Sequence, residues 1–522
     1  MMKKTVLSVL AMAASLALQA QRPADTRQQE LEVLAQPFSL SNNAAGMGLS
    51  QPSAGSKTQI SVFDQFGDYH LAQQGDADLG FRFSTLRYDS FSDKLFMRGS
   101  FYYSLDREQN RKWSDVMDPW FSIPYIYGSS IAKEYDSHDC GLSFDLYTAP
   151  LGGWISVGVK TDYRVADISG KRDPRPRTGF LDYQLVPSFL VTLGRHHLGL
   201  DLGYGYSKEK LSGLTTIQSY PNLYYYKMSG LEHVDGAISA YSGFKRQFVG
   251  SRYLGDLSYG YTAGALSLMA SAGVEYQKLT AYADKMQSPG SYNYIEYNAV
   301  ASATYSAGKF LHSLQLEGRY KDAGADEYLQ ELVAVKDPDT GVTTETWETL
   351  YTYKDRYMLQ RFSATAAYKL YGGCSGKDYL WSAGAGVGVE GFRKEYYLPY
   401  SAFGSQALRL SLEGSVRLIQ VKGHKLDLEV AGGLRKALDT GLSLYEQQQD
   451  DNLYVQEVLL PDRAYYGCDV VSGRGSLQWE FPLNLGKAGL ASGYVRLQGG
   501  LDKALGAGKL SRVELCVGLF TF

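Results

Sequence analysis

The chain has 522 residues, 52 basic and 55 acidic, for a formal charge of -3, so nothing in its balance draws it toward nucleic acid or anionic lipid. Tyrosine (42) and glycine (56) are plentiful, the glycine well above the roughly 7% of ordinary usage, and both suit strands, turns and membrane interfaces. No linker-like stretch divides the chain, which repeats one kind of segment from near Lys57 onward.

At the amino terminus, "MMKKTVLSVLAMAASLALQAQ" reads as a secretory signal, with Lys3 and Lys4 before the apolar stretch Val6 to Leu18 and a cut after Ala20. No cysteine follows the cut, which argues against a lipid anchor. Beyond it no run of roughly 18 apolar residues occurs, so no helix of ordinary kind spans a membrane. Cys140, Cys374, Cys468 and Cys516 are scattered, without the spacing of a zinc knuckle or a redox pair. Residues 21–56 read as a periplasmic or lumenal segment with one short helix, too short for the plug domain of a TonB-dependent receptor. Within it "SLSNNAAGMGLS", residues 39–50, resembles the NPAG segment of the FadL-like outer-membrane transport family: Asn43, Ala45 and Gly46 match, and Ala44 stands where that family has proline. The resemblance implies a hatch inside a barrel; the other reading is a plain turn leading into the first strand.

From residue 57 to the end, segments alternate strictly. In "ALRLSLEGSVRLIQ", Leu408, Leu410, Leu412, Val416 and Leu418 share one parity and Arg409, Glu413 and Arg417 the other. "WISVGVKTDYR", "LHSLQLEGRYK", "WSAGAGVGVEG" and "HKLDLEVAGGLRK" behave alike. About 18 such strands, within roughly 14 to 20, are predicted, most about 11 to 17 residues long. That exceeds a globular strand and suits a tilted membrane crossing. Even-numbered connections such as "PLGG", "GRH", "SAGK" and "VKGH" are short, while the long segments 109–137, 166–178, 209–251, 322–355 and 439–466 all fall on the other side. Segment 209–251 has room for one more hairpin. A soluble sandwich has no reason to sort its loops this way, whereas outer-membrane barrels do.

The fold expected is therefore all-β: a single antiparallel transmembrane barrel over residues 57–522, with short periplasmic turns and long extracellular loops. The final "SRVELCVGLFTF" resembles the carboxy-terminal signature that barrel-assembly machinery reads, although the parity of Phe522 calls for a bulge or a frayed end. The whole pattern also resembles uncharacterised outer-membrane barrels of Gram-negative bacteria. For the hairpin after Leu418, a turn centred on Lys422 sets Leu418 against Leu426, Val416 against Leu428 and Arg417 against Asp427. Arg409, Glu413, Arg417, Asp427 and Glu429 then line the lumen, with water reaching the Arg417 pair.

Aromatic residues crowd the long loops. Trp113, Trp120, Phe121, Tyr125 and Tyr127, with Tyr224, Tyr225 and Tyr226, offer a ligand-binding surface, against the plainer reading of an interfacial girdle. "YDSHDCG" puts Asp136, His138 and Asp139 at a strand rim in a manner that resembles omptin-type proteases, but no second acidic pair accompanies them and the strand count is too high. Arg195, His196 and His197 lie at a short turn without further metal ligands, and Arg172, Arg175 and Arg177 form a basic loop. No nucleophile with its base, phosphate cradle, cofactor site or metal site is apparent. Two functions fit: a channel or transporter for a small solute, hydrophobic ones included, or a non-transporting barrel that engages a surface partner through its aromatic loops.

Overall fold

The computed structural model describes residues 25–50, 55–120, 123–216, 224–235, 244–283, 286–336, 339, 343–376, 378–445, 452–484 and 490–521. The expected signal, residues 1–20, lies outside the described residues. In chain order the wall begins with β1 (Gly55–Gly67), β2 (Ala77–Ser92), β3 (Leu95–Arg111), β4 (Lys133–Thr148), β5 (Ile155–Gly170) and β6 (Arg175–Leu193). It continues with β7 (His196–Thr215), β8 (Arg246–Ala263), β9 (Leu266–Tyr282), β10 (Gly290–Ala307), β11 (Phe310–Lys336) and β12 (Thr343–Gly372). It ends with β13 (Trp381–Tyr396), β14 (Ser401–Val421), β15 (His424–Ser443), β16 (Val470–Asn484), β17 (Leu490–Ala504) and β18 (Gly508–Thr521). Each strand pairs antiparallel with the next, and β1 pairs with β18 as well as β2, so the 18-stranded sheet closes on itself.

Closure follows from the alternation. The outer face carries Leu257, Leu410, Leu412, Val513, Leu515 and Val517, all widely exposed. The inner face carries Ser156, Asp201, Asp256, Arg417 and Asp427, all buried. A sheet that shows hydrocarbon-like side chains outward has no water there to satisfy an open edge, and closure leaves none.

Connections sort by side as the sequence predicts. The turns 93–94, 149–154, 194–195, 264–265, 308–309 and 422–423 are at one end, and the described parts of the long connections 112–132, 216–245 and 444–469 are at the other. Two expected loops are corrected. Most of 166–178 belongs to β5 and β6, and most of 322–355 is the tip of β11 and β12, strands of 27 and 30 residues that continue as a ribbon past the rim. The spare hairpin of 209–251 exists, as Tyr226–Gly230 with His233–Asp235, but it joins Ile126–Gly128 in a separate three-stranded sheet and adds nothing to the wall.

Two local expectations also change. β18 keeps one register to Thr521 against β1 with no bulge, and Phe520 turns inward, its ring 5.5 Å from that of Tyr494. In the β14–β15 hairpin Val416 opposes Leu428 and Arg417 opposes Asp427, but Ile419, not Leu418, opposes Leu426. The reason is the turn. Lys422 and Gly423 both have positive φ and connect Val421 to His424, a two-residue loop that sets pairs one residue out of step with the inner register. A bulge at Leu418 absorbs the extra residue.

Candidate functional site

The lumen is interrupted at two levels. At the short-turn end, α1 (Thr26–Leu34) is started by Asp25, whose carboxylate accepts the Gln28 backbone N–H at 2.7 Å. Charge holds this helix to the wall. Arg27 donates to the Tyr379 carbonyl at 2.8 Å and lies 3.1 Å from Asp427, and Asp25 pairs with Lys425. Glu30 accepts hydrogen bonds from Tyr379 at 2.6 Å and Tyr371 at 2.9 Å and pairs with Lys369 at 3.1 Å. Burial alone would raise the Glu30 carboxyl, but the Lys369 charge and the hydroxyl donors together outweigh it and hold the group below its ordinary range.

Of the lumen-lining candidates, Glu413, Arg417, Asp427 and Glu429 lie by this assembly, and Arg409 lies nearer the opposite end, by Tyr465 and Tyr466. Arg417 grips Asp427 with Nε at 3.0 Å and Nη2 at 3.2 Å, and reaches Asp378 with Nη1. Its side chain is 2% exposed and that of Asp427 6%. Water therefore does not reach the pair, contrary to the sequence expectation, because α1 lies over it. Glu413 pairs with Lys369 at 3.2 Å, Arg409 with Glu390 at 2.7 Å, and Glu429 accepts from Ser476. Arg27, Glu30, Lys369 and Tyr379 were missed from sequence. The parity of Lys369 with Glu317-facing Thr365 was readable, but nothing in a short charged helix reveals which strands it crosses to.

Residues 37–50 cross to the opposite wall. Asn43 caps a short 3-10 helix by accepting the Gly46 N–H at 2.8 Å and donates to the Phe189 carbonyl at 3.1 Å. The Ala44 N–H donates to Ser188 Oγ at 3.1 Å. Asn43, Ala44, Ala45 and Gly46 are all buried against the inner face of the barrel. The wall admits them through glycine: a Cβ on Gly158 would stand 2.6 Å from the Ala45 nitrogen, and one on Gly199 2.6 Å from Asn43 Nδ2.

At the other end, three loops fold into a cap. Trp113, Tyr125, Tyr127 and Tyr225 are buried inside it, while Tyr224 is exposed and Trp120 and Tyr226 are half-buried. Phe121 lies outside the described residues. The two aromatic loops meet: Trp113 lies 5.5 Å from Tyr226 and 5.3 Å from Tyr454, and Tyr127 6.2 Å from Tyr225. Trp113 Nε1 also donates to Glu457 at 2.7 Å. Below the cap, Arg246 contacts Asp115 at 3.2 Å and Glu209 at 3.3 Å, all three side chains being largely sheltered from solvent. The short helix α2 (Leu460–Gly467) completes the cap, and its Asp462 accepts the Ala72 N–H at 2.8 Å.

Chambers remain between cap and floor. One of about 270 Å³ is bordered by Arg409, Arg435, Tyr465 and Tyr466, and one of about 350 Å³ by Glu30, Lys369 and Glu413. A third, about 530 Å³, lies beneath the 112–132 loop, and Trp120 Nε1, Tyr292 Oη and Arg252 Nε border it without a hydrogen-bond partner among the described residues. The rim residues form none of these. Asp136 and Asp139 are tied to Arg107, Lys171 and Arg164, His138 meets Tyr103, and His196 and His197 meet Tyr259 and Thr192. In the basic loop Arg175 pairs with Asp173 and Arg177 with Asp167.

A closed antiparallel barrel with an apolar outer belt and a polar, internally occupied lumen is a transmembrane β-barrel. Within that class the chain belongs to a family of unknown function, since residues 44–521 match the one described as "Family of unknown function (DUF6850)". No curated protein matches it. Among solved structures it is similar to the copper transporter OprC, at 10% identity over 89% of this chain and 80% of that one, with a TM-score of 0.38. A FadL homologue of Pseudomonas aeruginosa is 10% identical over 92% and 93%, TM-score 0.34, and the CymD monoaromatic hydrocarbon channel 10% over 93% and 92%, TM-score 0.31. Similarity at this level says nothing of substrate.

Proposed function

We propose that the protein is an outer-membrane channel or transporter for a small solute in a Gram-negative bacterium, exported by its amino-terminal signal. Residues 39–50 act as the lumenal hatch, in keeping with their FadL-like pattern, and the aromatic loops receive the ligand. Outer-membrane lipid and the barrel-assembly machinery are its partners, and no enzymatic role is assigned. The observation that carries this reading is that cavities of about 270 to 530 Å³ remain inside the barrel beside the tethered helix α1 and beneath the folded loops. A barrel serving only as a scaffold has no need of such spaces.

The second reading, a non-transporting surface barrel, draws support from the buried Arg417, Asp427 and Arg27 cluster, which blocks part of the lumen with paired charge. Proteoliposome swelling separates the two. The transport reading expects small neutral solutes of graded size to enter vesicles holding the intact barrel slowly and vesicles holding a variant without residues 39–50 faster. Equal, background rates for both proteins would favour the scaffold.

A further inference from the structure

Under the crossing segment, two carboxylates stand side by side. Asp201 on β7 and Asp256 on β8 are directly opposed in the register, 0% and 3% exposed, and cross-strand neighbours of this kind have side chains about 5 Å apart. Like charges in that position repel, and shielding from water strengthens the repulsion. Yet neither oxygen of Asp201 has a hydrogen-bond partner among the described residues, and no basic side chain among them forms an ion pair with either aspartate. The nearest cation, Lys160, is directed elsewhere, to Asn42 Oδ1 at 3.2 Å and Asp162 at 3.8 Å.

The surroundings supply further oxygens and a lid. Ser258, two residues along β8 and 4% exposed, also has an unpartnered hydroxyl. Asn42 reaches Asp256 Oδ2 at 3.1 Å from above. Gly273 on β9 leaves space for the Asp256 carboxylate, since a Cβ there would sit 1.6 Å from Oδ1. The donors are carboxylate and hydroxyl oxygens, without sulfur or imidazole, which selects a hard cation.

We propose that Asp201 and Asp256 bind one divalent cation, Ca²⁺ or Mg²⁺, between the barrel wall and residues 41–43. Its two charges neutralise the two carboxylates, Ser258 and water complete the shell, and Asn42 stays hydrogen-bonded to Asp256 Oδ2 from the crossing segment. The ion pins the crossing segment where it meets β7 and β8. This assignment rests on the local geometry and stands whether or not the barrel transports.

The test uses the full chain, purified in detergent and stripped with a chelator. Isothermal titration with Ca²⁺ and with Mg²⁺ should show one saturable site for at least one of them, weakened about tenfold or more by Asp201→Asn and by Asp256→Asn. Migration of unboiled samples on a denaturing gel reports whether each variant is folded. Hydrogen exchange on the unmodified protein gives a second readout that needs no variant: adding the ion should slow exchange at residues 41–46, 199–203 and 254–258. Absence of binding and of any exchange change at these residues would overturn the site and leave the pair neutralised by protons. Unaltered affinity in folded Asp201→Asn would overturn it too, by locating the ion elsewhere.

Discussion

Asp462 shows what a single residue does for the cap. It lies in α2, outside the membrane-crossing strands, and burial pushes its carboxyl up to about 6, against the Ala72 N–H, Lys394 and His70, which favour the charged form. In an unfolded loop the group titrates near its ordinary value of about 3.9. The folded cap therefore holds the extra proton, and the resulting stability is complete below about pH 4 and is lost as the pH rises through about 6. Hydrogen exchange at 460–467, corrected for intrinsic rate, should be slower at about pH 5 than at about pH 7.5 in the native chain. Asp462→Asn keeps the acceptor for Ala72 and should abolish the difference; an equal pH effect in both would assign it to another group. Some residues were legible in advance. Arg417 opposite Asp427 followed from parity together with a turn placed at Lys422, since parity keeps both out of lipid and the turn chooses among the registers that do so. Burial of that pair was not legible, because the helix covering it is distant in sequence and no pattern in "TRQQELEVL" names its partners. The buried rings of Trp113, Tyr125, Tyr127 and Tyr225 were visible as a cluster, but composition alone does not tell a loop's core from its surface.

Among elements, the strands were the most readable, because alternation is enforced on each strand separately by lipid on one side and polar lumen on the other. What alternation cannot show is where a strand leaves the membrane. β11 and β12 keep pairing past the rim: residues 328–336 and 343–352 pair only with each other, with one register shift between Leu329 and Gln330, whereas β10 stops at Gly290 and β13 at Tyr396. Read as sequence, this tip looked like a loop because charge and threonine replace the apolar parity. A ribbon without barrel neighbours adds little to barrel stability. Replacing residues 331–348 by Asn-Gly, a two-residue turn suited to the Gln330 and Thr349 pair, should leave the barrel folded and heat-modifiable on gels. Loss of the folded band would show that the ribbon is needed for assembly. The Leu418 bulge teaches the same lesson at smaller size. Its cause, the positive φ of Lys422 and Gly423, lies in turn chemistry, which face patterning does not register.

For the whole molecule, closure and loop sidedness were legible because they are sums over many strands, and single errors such as the separate sheet of Ile126–Gly128, Tyr226–Gly230 and His233–Asp235 do not disturb the parity. The internal occupants were less so: residues 39–50 drew notice through a short pattern, while the charge ties of α1 drew none. Of those ties Arg27 to Asp427 is a buried ion pair, costly to form and costlier to break on one side only, while Glu30 to Lys369 is partly exposed, so the floor should be held most firmly at Arg27. The measurement that bears most directly on this account is single-channel conductance in a planar bilayer, for the intact barrel and for a variant lacking residues 25–50. A hatch in the lumen predicts a small or intermittent conductance for the intact protein and a larger, sustained one for the variant. Identical conductance in both, with the variant shown to be folded, would contradict it.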